Sequence, residues 1–160
     1  MRTLKRHAAL VVSLAALTAG CATPDKVYES TAEKNLHITA KSAGNSFATV
    51  KATFLYVYLL TPECKLDYLG HVLVNAPVVD VGLPTGKPLV LTAEFAKAGR
   101  FDHGGVRNSY SYLVQPRPGY AYAAEIVHDE QFHKFALAEG RRGGPMRALE
   151  RKSAEGCTQK

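Results

Sequence analysis

The densest cluster of titratable side chains in the sequence is His128-Asp129-Glu130-Gln131-Phe132-His133, and such a cluster invites a metal ion. Its spacing argues otherwise. Zinc-binding histidines of the protease type stand four apart on a helix, whereas residues five apart are rotated by about 140° on a helix and face opposite ways on a strand. Only a hairpin turn over Asp129 to Gln131 would bring His128 and His133 together, on neighbouring strands. The stretch therefore reads as a solvated turn, with no metal site. A second candidate, Phe101-Asp102-His103-Gly104-Gly105 between Arg100 and Arg107, holds an acid next to a base. Neighbours in an extended loop seldom point at each other, and no Ser or Cys has the surroundings of a nucleophile elbow. This segment reads as a binding loop at one end of a domain. No catalytic residue and no cofactor are expected, so the protein is read as a non-enzyme.

Tyrosines offer binding chemistry instead. Three Tyr-x-Tyr pairs, Tyr56/Tyr58, Tyr110/Tyr112 and Tyr120/Tyr122, each set two phenols on one face of a strand. If 109–115 and 120–128 form a hairpin with Gln115 opposite Tyr120, then Tyr110 and Tyr112 fall on the face opposite Leu113, Tyr122, Ala124 and Ile126. That arrangement would display an aromatic strip over small alanines, suited to sugar rings or to a protein partner. The same residues also serve as cross-strand packing in many sheets.

The first 20 residues have a separate meaning. Arg2, Lys5 and Arg6 precede an apolar run from Ala8 to Gly20 that stops at a cysteine. A run of about 13 residues is short of the ~20 needed to cross a bilayer core as a helix, so it reads as a cleavable export signal. Its end, Thr18-Ala19-Gly20-Cys21, resembles the lipobox of bacterial lipoproteins, in which small residues precede a cysteine that is acylated and becomes the new N-terminus. The resemblance implies a signal peptide over 1–20, lipidation of Cys21 and attachment to a membrane through that lipid. Ala22 follows the cysteine where inner-membrane retention uses Asp, which implies an outer-membrane lipoprotein facing the periplasm. More broadly, the chain resembles small proteobacterial lipoproteins of sandwich type.

Export changes the charge arithmetic. The full chain has 20 basic and 14 acidic residues, net +6, but without residues 1–20 it has 17 and 14, net +3. Residues 21–138 balance at 11 and 11, so the excess sits in 139–160, with six basic and three acidic residues. A neutral body on an exported protein excludes nucleic acid as a partner. The basic segment, with Arg141 and Arg142, is either a solvated terminal strand or a contact for a polyanionic surface polymer. Two cysteines remain besides Cys21. Cys64 and Cys157, in an oxidising compartment and without a Cys-x-x-Cys motif, read as a structural disulfide.

Thr23 to Lys34 is polar and reads as part of a tether over 21–35, with one helical turn at Glu29 to Lys34. From 36 to 160 the chain is a succession of short Val-, Tyr-, Phe-, Thr- and Leu-rich runs broken by Pro and Gly. They predict strands over 36–41, 47–60, 66–75, 78–82, 88–96, 109–115, 120–128 and 131–138, and a short one over 146–151. No segment has apolar residues at helical spacing over three turns. The fold expected is all-β, a two-sheet antiparallel sandwich of immunoglobulin, fibronectin or transthyretin type, with seven or eight strands. Leu113-Val114-Gln115-Pro116-Arg117-Pro118-Gly119-Tyr120-Ala121-Tyr122 resembles the tyrosine corner of fibronectin type III domains, and implies that Tyr120 or Tyr122 bonds backbone across the corner. The function expected is that of an envelope accessory or binding subunit. The alternative is a polysaccharide or cell-wall binding module using Tyr110, Tyr112, Arg141 and Arg142.

Overall fold

The computed structural model describes residues 26–42, 49–99, 105–129 and 132–151. Alternation of apolar and polar side chains builds nine strands from them: β1 Lys34–Ser42, β2 Thr49–Leu60, β3 Leu66–Leu73, β4 Val78–Gly82, β5 Leu89–Gly99, β6 Gly105–Val114, β7 Tyr120–His128, β8 His133–Arg141 and β9 Arg147–Ala148. They form two packed sheets, one in the order β4-β1-β7-β8-β9 and one in the order β3-β2-β5-β6. The all-β sandwich expected from the sequence is the fold observed. The stretch expected to form a helical turn, Glu29 to Lys34, has none and instead leads straight into β1.

Strand order is more specific than the class. Consecutive strands β1 and β2 lie in opposite sheets, unlike the immunoglobulin constant arrangement in which the first two strands share one. β1 pairs antiparallel with β4 but parallel with β7, from Leu36 opposite Tyr122 to Ser42 opposite His128. This parallel pair is the one departure from antiparallel pairing between the strands of the two sheets, among the described residues.

The inward positions follow the period of two. Leu36 and Ile38 of β1 meet Tyr122, Ala124 and Ile126 of β7, and across the sandwich Leu55 and Val57 of β2 meet Leu91 and Phe95 of β5. Two buried polar devices fix how the layers join. Asn35 donates from Nδ2 to the Leu83 carbonyl at 2.9 Å and accepts from the Leu83 N–H at 2.7 Å, locking the start of β1 to the β4–β5 link. The Tyr122 hydroxyl accepts from the Arg117 N–H at 3.1 Å and donates to the Gln115 carbonyl at 3.5 Å. Tyr122 is therefore the corner tyrosine, while Tyr120 lies outside with the Arg117 guanidinium 3.7 Å from its ring centre.

That corner overturns one expectation. β6 does not form a hairpin with β7. It pairs with β5, with Leu89 opposite Val114 and Leu91 opposite Tyr112, and the Pro-rich link 115–119 carries the chain to the other sheet. Two prolines in that link rule out a tight two-residue hairpin, and the Tyr122 bonds hold the crossing in place.

Candidate functional site

Changing the partner of β6 turns its tyrosines round. Tyr112 is 5% exposed, packs edge-on against Phe135 at 5.1 Å and donates to the Phe135 carbonyl at 3.4 Å. Tyr110 is half-buried against Phe95, with the Arg151 guanidinium 4.4 Å from its ring centre. The expected exposed strip at Tyr110 and Tyr112 is thus corrected, because with β5 as partner the even positions of β6 face the interior. Arg141 is exposed, and Arg142 is paired with Glu33, which raises the guanidinium pKa and lowers that of the carboxyl.

The histidine cluster is also different from expectation. His128 and His133 are register partners where β7 turns into β8, with ring centres 5.0 Å apart. His128 is no solvated turn residue: it is 1% exposed, with Nδ1 2.9 Å from Thr53 Oγ1 and its ring edge-on to Phe95. The alternation that buries Tyr122, Ala124 and Ile126 buries His128 as well. Burial first, then the nearby His133, Lys51 and Lys97, push its pKa down to about 4, so the ring is neutral in ordinary conditions. Its Nε2 is buried with no hydrogen-bond partner among the described residues. Among the described residues no three His, Cys, Asp or Glu side chains converge on one point. Arg100, Asp102, His103, Cys21 and Cys157 lie outside the described residues. Cys64 lies in the tight 61–65 turn, where its N–H donates to the Thr61 carbonyl at 2.9 Å and its φ is 59°.

Two surfaces on the four-stranded sheet stand out. The first is its outer face over β2 and β3. Tyr58 and Tyr68 lie 5.5 Å apart between ring centres, Tyr56 and His71 5.8 Å, and Phe54 and His71 5.5 Å, forming one continuous aromatic layer. Sequence alternation placed Tyr56 with Tyr58, but not Tyr68 and His71 beside them. An irregularity in register after Val57, opposite Gly70, shifts β3 so that both meet β2 on the outer side. Burial, then Glu94, raise the pKa of both Tyr56 and Tyr58, which keeps their hydroxyls protonated donors. Next to this layer the face turns polar, with Thr92 and Ser111 hydroxyls 2.8 Å apart and Glu94 paired to Arg107 at 3.3 Å.

The second surface is the free edge of β6. The four sheet edges are not equivalent. β3 is half covered, since residues 26–28 lie along it with the Tyr28 N–H donating to the His71 carbonyl at 2.7 Å and the His71 N–H to the Lys26 carbonyl at 2.9 Å. β4 has five residues and β9 two, whereas β6 runs ten residues with no bulge in its pairing to β5. Among the described residues nothing pairs with its outer side. Alternate N–H and C=O groups therefore point outward along a regular strand, which is a template for an added strand. The outward side chains Arg107 and Ser109 are exposed. Compared with known proteins, the chain matches no family model and no curated sequence.

Proposed function

We infer that this is a lipid-anchored, non-enzymatic accessory subunit of the bacterial envelope that docks a protein partner by strand addition on β6. On this reading residues 1–20 direct export, Cys21 carries the lipid, the domain stands on the periplasmic side of the outer membrane, and Cys64 pairs with Cys157. The observation that supports the docking mode is the ten-residue bulge-free edge of β6, long enough for a full added strand with outward main-chain groups on one line. Polysaccharide binding through Tyr110 and Tyr112 loses its platform, because Tyr112 belongs to the core and Tyr110 is half-buried against Phe95.

The test is photo-cross-linking in cells with a reactive amino acid at Ser109 on β6, and at Asp80 on the β4 edge as the control. The reading predicts one discrete protein adduct from Ser109, none from Asp80, and loss of the adduct in a Cys21→Ser background. Adducts to glycan alone, or none from Ser109 while the protein remains membrane-bound, would overturn it.

A further inference from the structure

The tether and the aromatic layer meet at one edge of the domain. Val27, in the segment that bridges to His71, is 61% exposed. Two residues before Tyr68 stands Leu66, 48% exposed, and two residues after His71 stands Leu73, 44% exposed; alternation sets both on the aromatic outer face. Three exposed aliphatic side chains thus lie along this edge, on which Tyr68 donates from its hydroxyl to the Lys26 carbonyl at 3.3 Å. The close approach of the tether needs Gly70, where φ is +140° and a Cβ would come within 2.7 Å of the Tyr28 backbone. The tether is therefore held against this edge by main-chain bonds on both sides of His71.

From that fact we propose that the β3 edge, with Val27, Leu66, Tyr68 and Leu73, rests in the interfacial region of the bilayer into which the lipid of Cys21 inserts. The proposal rests on the lipid-anchor reading and adds an orientation to it. Its first support is chain length. Cys21 is five residues before Lys26, and five residues reach at most about 18 Å, so this edge cannot leave the neighbourhood of the membrane. Side-chain chemistry points the same way. Leucine and valine next to hydroxyl-tipped tyrosine match a zone that is apolar on one side and wet on the other. Charge selects the kind of lipid surface: exposed Lys26 and Lys65 are offset by exposed Glu63 and Asp67, so the patch fits zwitterionic headgroups rather than an anionic sheet. In the order β3-β2-β5-β6, the free β6 edge then lies three strand spacings from the lipid, about 14 Å, on the side open to a partner.

The sequence contains no tryptophan, so one introduced residue is a clean fluorescent reporter. Full-length lipidated protein carrying Leu66→Trp, or Ser109→Trp as the far-edge control, is reconstituted in phosphatidylcholine vesicles with and without acyl-chain bromine. The expected result is about twofold quenching for Leu66→Trp and no change for Ser109→Trp, because only the first reports from the interface. Equal quenching of the two, or none for Leu66→Trp in vesicle-bound protein, would overturn the proposal. A second arm removes the anchor. The Cys21→Ser protein should bind the same vesicles weakly and with little salt dependence, and Leu66→Asp with Leu73→Asp should lower that affinity by about tenfold or more. Binding unmoved by the aspartates would overturn the patch whatever the state of Cys21. Loss of vesicle attachment by wild-type protein, with the second arm intact, would instead refute the anchor alone.

Discussion

Acid should loosen this fold through one histidine. Burial pushes the pKa of His128 in the folded protein down to about 4, below the ordinary histidine value of 6.5 that it has in the unfolded chain. Between those values the unfolded chain binds the extra proton, so stability falls as pH falls through this window and levels off below about 4. For a shift from 6.5 to about 4, lowering the pH from 7.5 to 4.5 costs roughly 2 to 3 kcal/mol through this group. At a typical urea dependence for a domain of this size, that is a midpoint lower by about 1 to 2 M. The assay is urea unfolding of the Cys21→Ser form across this range, in parallel with His128→Asn, which can keep a polar contact to Thr53. The variant is less stable throughout, having lost the ring against Phe95, but its loss of stability between pH 7.5 and 4.5 should be smaller by that amount. Equal slopes in the two proteins would refute the reasoning, since the proton would then not belong to His128.

The joints between the sheets make further predictions. Tyr122→Phe removes the acceptor of the Arg117 N–H and should cost about 1 to 2 kcal/mol in urea unfolding, while Tyr120→Phe, which keeps its ring over Arg117, should stay within about 0.5 kcal/mol. Asn35→Ala strands both backbone groups of Leu83 in a buried site and should cost about 2 to 4 kcal/mol by the same measurement. If Cys64 pairs with Cys157, the closed loop contributes about 4 to 5 kcal/mol in the chain-entropy picture; intact mass should rise by two hydrogens on reduction, and Cys64→Ser should destabilise as much as the double variant.

Much of this architecture is legible from residue patterns, and the rest fails for identifiable reasons. Runs of β-branched and aromatic residues between Pro and Gly mark the strands closely: 78–82 and 120–128 coincide with β4 and β7, and most other ends fall within a few residues. Pairing is less legible. Pro116-Arg117-Pro118-Gly119 signals a break, but a break looks the same whether the next strand returns beside the last or crosses to the other sheet, and the crossing is what buries Tyr112. His128 was hidden for a related reason. Its charged neighbours in sequence suggest a turn, yet it stands two residues beyond Ile126 on the inward side of β7. The aromatic layer needed tertiary information too, because Tyr68 and His71 join Tyr56 and Tyr58 only through the irregular register opposite Gly70.

Both the docking orientation and the membrane contact rest on the proposed anchor at Cys21, which has the most direct test. Cells expressing wild-type or Cys21→Ser protein are labelled with palmitate and fractionated. The account predicts label and outer-membrane sedimentation for wild type, and an unlabelled, soluble periplasmic Cys21→Ser protein. Label that persists without the cysteine thiol, or a wild-type protein that is unlabelled and soluble, would contradict it.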